Sequence, residues 1–129
     1  MYSSALEVLM KSFLLMLGLV AGSFAHAANV TCTTADGSES MTYFPDVPGF
    51  QLEGQSEIIK VSGRTEVVDS DGEGRSVFQY PLANGLSARI TWYTSETEVL
   101  RNLPARAEKM ELLSVDGKVA ITLTRCSWK

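Results

Sequence analysis

The chain has one histidine, His26, two cysteines, Cys32 and Cys126, and four prolines in 129 residues. His26 falls in an N-terminal segment that reads as a removable leader, so the working protein is left without an imidazole. A Ser-His-Asp or Cys-His nucleophile is then excluded, because each needs a histidine to take up the proton. A hydrolytic zinc site loses its usual ligands for the same reason. No Cys-x-x-Cys pair is present, which argues against a redox or metal-binding thiol motif. Basic residues are also few: 11 Lys and Arg against 15 Asp and Glu give a net charge of −4. Phosphate neutralisation needs a basic face, so nucleic acid is not expected as a partner. A mildly acidic product more naturally meets something basic.

Long apolar runs are nearly absent. The stretch Phe13 to Val20 is the longest, and it falls short of the ~20 residues a spanning helix needs. Lys11 before it and Ala25-His26-Ala27 after it complete the three-part pattern of a secretory signal peptide. The expected organisation is a signal peptide over 1–27 and a single β-rich domain over 28–129, periplasmic or secreted and free of the membrane once cleaved. No cysteine stands at the cleavage site, so a lipid anchor is not expected. Glu7 is unusual ahead of an apolar core, which makes Met10 an alternative start to Met1. Losing Lys11 and Glu7 together leaves the net charge unchanged. The roughly 100 residues that remain suffice for one modest core.

Two cysteines allow only one bridge in an oxidising compartment, Cys32 to Cys126, closing a loop of about 95 residues. On the chain-entropy model such a loop contributes about 4.5 kcal/mol. It also requires the first and last strands to lie side by side or face to face.

The rest reads as short strands separated by turn residues. Strands are expected at 29–34, 40–44, 56–62, 64–69, 75–82, 86–94, 109–115 and 118–127, with turns at 35–38, 45–49, 71–74, 84–85 and 116–117. Register decides between loop lengths, since a slip of one residue exchanges the faces of a strand. A three-residue loop Ala83-Asn84-Gly85 pairs Leu82 with Leu86, Tyr80 with Ala88 and Phe78 with Ile90, and places Gly85 at a left-handed bulge position. Gln79, Arg89, Val77, Thr91 and Tyr93 then share the opposite face. A two-residue loop Asp116-Gly117 sets Ser114 against Val119, Leu112 against Ile121, Met110 against Leu123 and Glu108 against Arg125. Between the hairpins, Ser95 and Glu98 form a capping box for a short helix that Pro104 ends, lying over a sheet edge or barrel mouth. The expected fold is all-β with one short helix: an antiparallel sandwich or small barrel of about eight strands, its termini joined by the disulfide.

Chemistry-bearing groups are few, and no catalytic residue, metal site or cofactor is expected. Glu108 with Glu111, or Glu96 with Glu98, offer the two acids a glycosidase needs, but such residues are ordinarily solvated surface. A Ser114–Lys118 dyad spans a tight turn that does not favour it. Asp69, Asp71 and Glu73 form an acidic turn that lacks the third acidic position and distal glutamate of a calcium loop. It suits a basic partner better. Phe78 and Trp92 belong to the core face, while Tyr93 with Arg89 on the other face has the composition of an interface anchor.

Val30-Thr31-Cys32, Asp36-Gly37 and Met41-Thr42-Tyr43, with a second cysteine near the chain end, resemble the small exported bacterial inhibitors of c-type lysozyme. The resemblance implies an antiparallel β-barrel with an inhibitory loop of Ser-Gly-Ala-Arg-Tyr type. Ser62-Gly63-Arg64 is similar to that loop but lacks its alanine and tyrosine, and the family's Phe-Trp-x-Lys-Gly strand is replaced by Val77-Phe78-Gln79-Tyr80-Pro81. Fold analogy alone does not give a function; export, small size, a covalent staple and the lack of catalytic equipment are what point to a binding module that neutralises an envelope-acting enzyme or toxin, with a basic cell-wall hydrolase as one such partner. Ser62, Gly63, Arg64, Asp69, Asp71, Glu73, Arg89 and Tyr93 are its candidate contacts. The alternatives are a β-barrel for a small molecule or glycan, and an envelope assembly component that self-associates through a strand edge; oligomeric state is open.

Overall fold

The computed structural model describes residues 29–128, so the leader lies outside it. Ten strands and one helix follow in chain order: β1 (Val30–Thr33), β2 (Ser40–Phe44), β3 (Gly49–Leu52), β4 (Ile59–Lys60), β5 (Glu66–Ser70), β6 (Arg75–Pro81), β7 (Ser87–Tyr93), α1 (Glu96–Leu100), β8 (Arg106–Leu113), β9 (Val119–Leu123) and β10 (Arg125–Trp128). They form two antiparallel five-stranded sheets, β10-β1-β2-β3-β4 and β9-β8-β7-β6-β5. The arrangement is a sandwich stitched at two corners. Thr124 alone carries the chain from β9 into β10, its N–H donating to the Thr33 carbonyl at 3.0 Å. At the other corner Val61 bridges Leu82, and the Ser62 N–H donates to the Pro81 carbonyl at 2.7 Å.

Cys32 and Cys126 are bonded and stand directly opposite one another across β1 and β10, the side-by-side arrangement of first and last strands. The inner faces of both sheets meet over Val30, Cys32, Met41 and Phe50 from the first and Tyr80, Ala88, Ile90, Met110 and Leu123 from the second. The larger aliphatic and aromatic side chains buried this way, such as Val30, Met41, Phe50, Ile90, Met110 and Leu123, each contribute roughly 1.5–3 kcal/mol. Tyr80 is buried with its hydroxyl accepting the Trp92 indole N–H at 3.0 Å, and Tyr43 is its other hydrogen-bonding neighbour.

The first hairpin has the expected register. Tyr80 faces Ala88 and Phe78 faces Ile90, Leu82 and Leu86 close the loop, and Gly85 sits at φ 90°. The second differs near its tip: Ser114 N–H bonds the Lys118 carbonyl, so the loop is the three residues Val115-Asp116-Gly117, and Val119 faces Leu113 rather than Ser114. A bulge between Val119 and Ile121 then restores Leu112 against Ile121 and Met110 against Leu123. Glu108 does not face Arg125, because the break at Thr124 moves Arg125 to the other sheet, opposite Thr33. Two strands beyond the expected eight arise at that break and at β3, which Pro45 to Gly49 hid behind turn-forming residues. The segment 56–62 contributes only Ile59–Lys60, and β8 begins three residues before the expected Lys109.

Helix α1 carries the capping box: Glu98 N–H donates to Ser95 Oγ at 3.1 Å and Ser95 N–H to Glu98 Oε1 at 2.9 Å. It does not cover the sandwich. None of its residues is buried, and Val99, Leu100 and Leu103 are exposed.

Candidate functional site

The outward face of the second sheet gathers polar side chains in three rows fixed by strand register. One row runs Glu66, Gln79, Arg89, Glu111 and Thr122; the next Asp69, Val77, Thr91 and Lys109; the third Arg75, Tyr93 and Arg106. In the last row two guanidinium groups lie over the Tyr93 ring, with Cζ at 4.7 Å from the centroid for Arg75 and 4.9 Å for Arg106. Such contacts contribute about 0.5–1 kcal/mol each at exposed sites.

Each of those arginines has an acid. A bulge that makes Glu108 the extra residue of β8 lets its carboxylate reach Arg75, Nε to Oε1 at 2.7 Å and Nη2 to Oε2 at 3.3 Å, a two-pronged pair. That pairing holds the Arg75 proton more firmly than usual. Glu98 reaches Arg106 at 3.2 Å, and its carboxyl is held below the ordinary range first by the Ser95 backbone N–H and only then by the arginine. Asp71 accepts the N–H groups of Glu73 at 2.7 Å and Arg75 at 3.1 Å, which lower its pKa in that order. Asp71 is thus a turn-former. The turn closes on Gly74 (φ 105°), whose carbonyl accepts the Thr94 N–H at 3.0 Å.

Of the residues nominated from sequence, Asp69, Arg89 and Tyr93 share this face, and Asp71 and Glu73 stand at its end beside the Tyr93 row. Arg89 is half-buried, its Nε donating to Gln79 Oε1 at 2.8 Å. Ser62, Gly63 and Arg64 are exposed but lie near Pro81, at the opposite end of β6 from the acidic turn, about 20 Å away at ~3.3 Å per residue. The two loops are separate surfaces. Arg75 and Arg106 were missed, and Glu108, read from sequence as a partner of Arg125 or Glu111, pairs with Arg75 instead. The first hairpin's register already sets Arg75 opposite Tyr93, whereas Arg106 and Glu108 precede the strand start read from sequence, and the bulge has no sequence signature.

Most of the groups considered for catalysis are engaged with neighbours. Glu108 and Glu98 serve the arginines, Glu111 lies 3.9 Å from Lys109, and the Ser114 hydroxyl bonds Asp116 and the Lys118 carbonyl across their turn. Among the described residues no group of three His, Cys, Asp or Glu side chains is placed to hold a metal ion. A cleft of about 230 Å³ opens beside Trp128, lined also by Val30, Ala107, Arg106 and Glu108, and one of about 160 Å³ lies by Leu52 and Ile121. No protein-family model, curated protein or solved structure matches this chain.

Proposed function

We propose that the protein is an exported binding module that neutralises an envelope-acting enzyme or toxin, in the manner of a lysozyme inhibitor or an immunity protein. The observation that carries this reading is the outward face of the second sheet, where Asp69, Arg89 and Tyr93 are displayed on hydrogen-bonded strands. Groups held on a rigid sheet lose little freedom when a partner docks. The net charge of −4 suits a basic one.

Affinity capture from envelope and secreted proteins, with the processed and oxidised protein as bait, should recover one stoichiometric hydrolase or toxin. Arg64→Ala, or Asp69→Ala with Glu73→Ala, should abolish that capture and leave the melting temperature unchanged. Capture indifferent to both loops would reject this version of the function. A second reading, a glycan or small-molecule site, draws on the Trp128 cleft, whose wall includes an indole packed 6.0 Å from the Trp92 ring. Saturable glycan binding lost in Trp128→Ala would put it first.

A further inference from the structure

Every residue from Ser62 through Arg75 is exposed, and β5 lies inside that stretch as the outermost strand of its sheet. One edge of β5 pairs with β6; among the described residues nothing pairs with the other. A free strand edge presents N–H and C=O groups ready to receive another strand. Val67 and Val68 are 56% and 44% exposed, on a strand that buries none of its own residues. Glu66, Asp69 and Glu73 enter no ion pair among the described residues, whereas Asp71, Glu98, Glu108 and Glu111 each face an arginine or lysine.

We propose that β5 is a strand-addition site for an extended basic segment of a partner protein. The inference deepens the binding-module reading and rests on it. Glu66 and Asp69 share the outward face of the sheet, and Val67 points to the opposite one, by their pairing with Gln79, Val77 and Phe78. A segment alternating lysine or arginine with an apolar residue matches both faces at once, because side chains alternate along a strand. Backbone hydrogen bonds would supply attachment and the acids selectivity. A second copy of this chain fits poorly. Antiparallel pairing of two β5 strands would bring like charges together, which destabilises such a pair, and the bulge at Val68 bends the edge against indiscriminate pairing.

The test uses the processed, oxidised protein, labelled with nitrogen-15, and a short synthetic peptide of alternating lysine and valine. The peptide should shift the amide signals of Glu66–Ser70 and slow their hydrogen exchange. Its counterpart with glutamate for lysine should leave them unchanged. Raising salt from ~0.05 to ~0.5 M should weaken binding several-fold, as screened surface charges require. Glu66→Lys with Asp69→Lys, both exposed, should reverse the preference between the peptides. Peptide binding mapped to another edge, a charge-swapped variant that still prefers lysine, or a dimer formed through β5 would each overturn the assignment. Target capture that persists in the charge-swapped variant would also overturn it while leaving the binding module standing. Peptide binding at β5 with no target captured would retain the edge site and remove the proposed function.

Discussion

β1 and β5 are short strands of similar length, both carrying β-branched residues, yet one is the seam of the molecule and the other stands outside it. In β1 the apolar residues alternate with half-buried threonines, Val30 and Cys32 buried and Thr31 and Thr33 half-buried, and the strand is paired on both sides by β10 and β2. In β5 Val67 and Val68 are adjacent, flanked by Glu66 and Asp69, and only β6 pairs with it. Only two apolar residues occur in β5, and the bulge between Val67 and Asp69 breaks the alternation, so no single face of the strand collects enough apolar area to join a core. Extended propensity is common to both. Alternation and a second neighbour separate them.

The largest way to break the contrast is to remove what fixes β1. Cys32→Ala with Cys126→Ala opens a bridge of sequence separation 94 and should lower stability by about 4 kcal/mol in denaturant titration. A cost under about 1 kcal/mol would mean that the β1–β10 pairing holds the seam unaided. Next is the turn that tethers β5. Gly74 combines φ 105° with a position where an added Cβ would meet the Thr94 carbonyl oxygen, so Gly74→Ala should cost about 2 kcal/mol by thermal denaturation. Gly72, with open space around its Cβ position, should cost less on the same change. Equal costs would show that left-handed backbone, and not the close approach to Thr94, governs the site.

These regions also differ in how far the sequence discloses them. The β6–β7 register follows from alternation and one glycine, because Tyr80, Ala88 and Ile90 can be buried together only with the three-residue loop. The disulfide follows from there being two cysteines. Asp69, Arg89 and Tyr93 are recognisable as outward residues on the same grounds, while Arg106 and Glu108 are not, since the bulge at Glu108 is set by tertiary pairing. Likewise β3 begins at Gly49 after a proline, and only its place beside β2 makes it a strand. The exposed apolar residues of α1 show the converse limit: a correct capping box starts a helix without providing anything for it to cover.

A pH titration probes the core against a turn. Burial pushes the Tyr43 hydroxyl up to about 12 and Tyr80 well above its usual value. Both hold their protons longer folded than unfolded, so stability should fall as pH rises from ~10 towards 12. Asp36, in the β1–β2 turn, is held down to about 2 by the backbone N–H and hydroxyl of Ser38 and the hydroxyl of Thr34. Its contribution is present above ~4 and lost as pH falls towards 2. Tyr43→Phe should flatten the alkaline limb and leave the acid limb alone. An alkaline limb unmoved by that change would mean that Tyr43 already reaches water in the folded state.

The smallest expected effect discriminates most sharply, because one chemical change can be made in both strands. Val→Thr keeps the shape and exchanges a methyl for a hydroxyl, which costs roughly 1–3 kcal/mol where it is buried without a partner. Val30 is 1% exposed, and Val30→Thr should show that cost. Val67→Thr and Val68→Thr should each stay within about 0.5 kcal/mol, as exposed substitutions do. If either β5 substitution costs as much as Val30→Thr in dilute solution, then β5 is covered by something other than water even in the purified protein. If the β5 substitutions are silent in isolation but weaken capture of a target, the valines are exposed until a partner covers them.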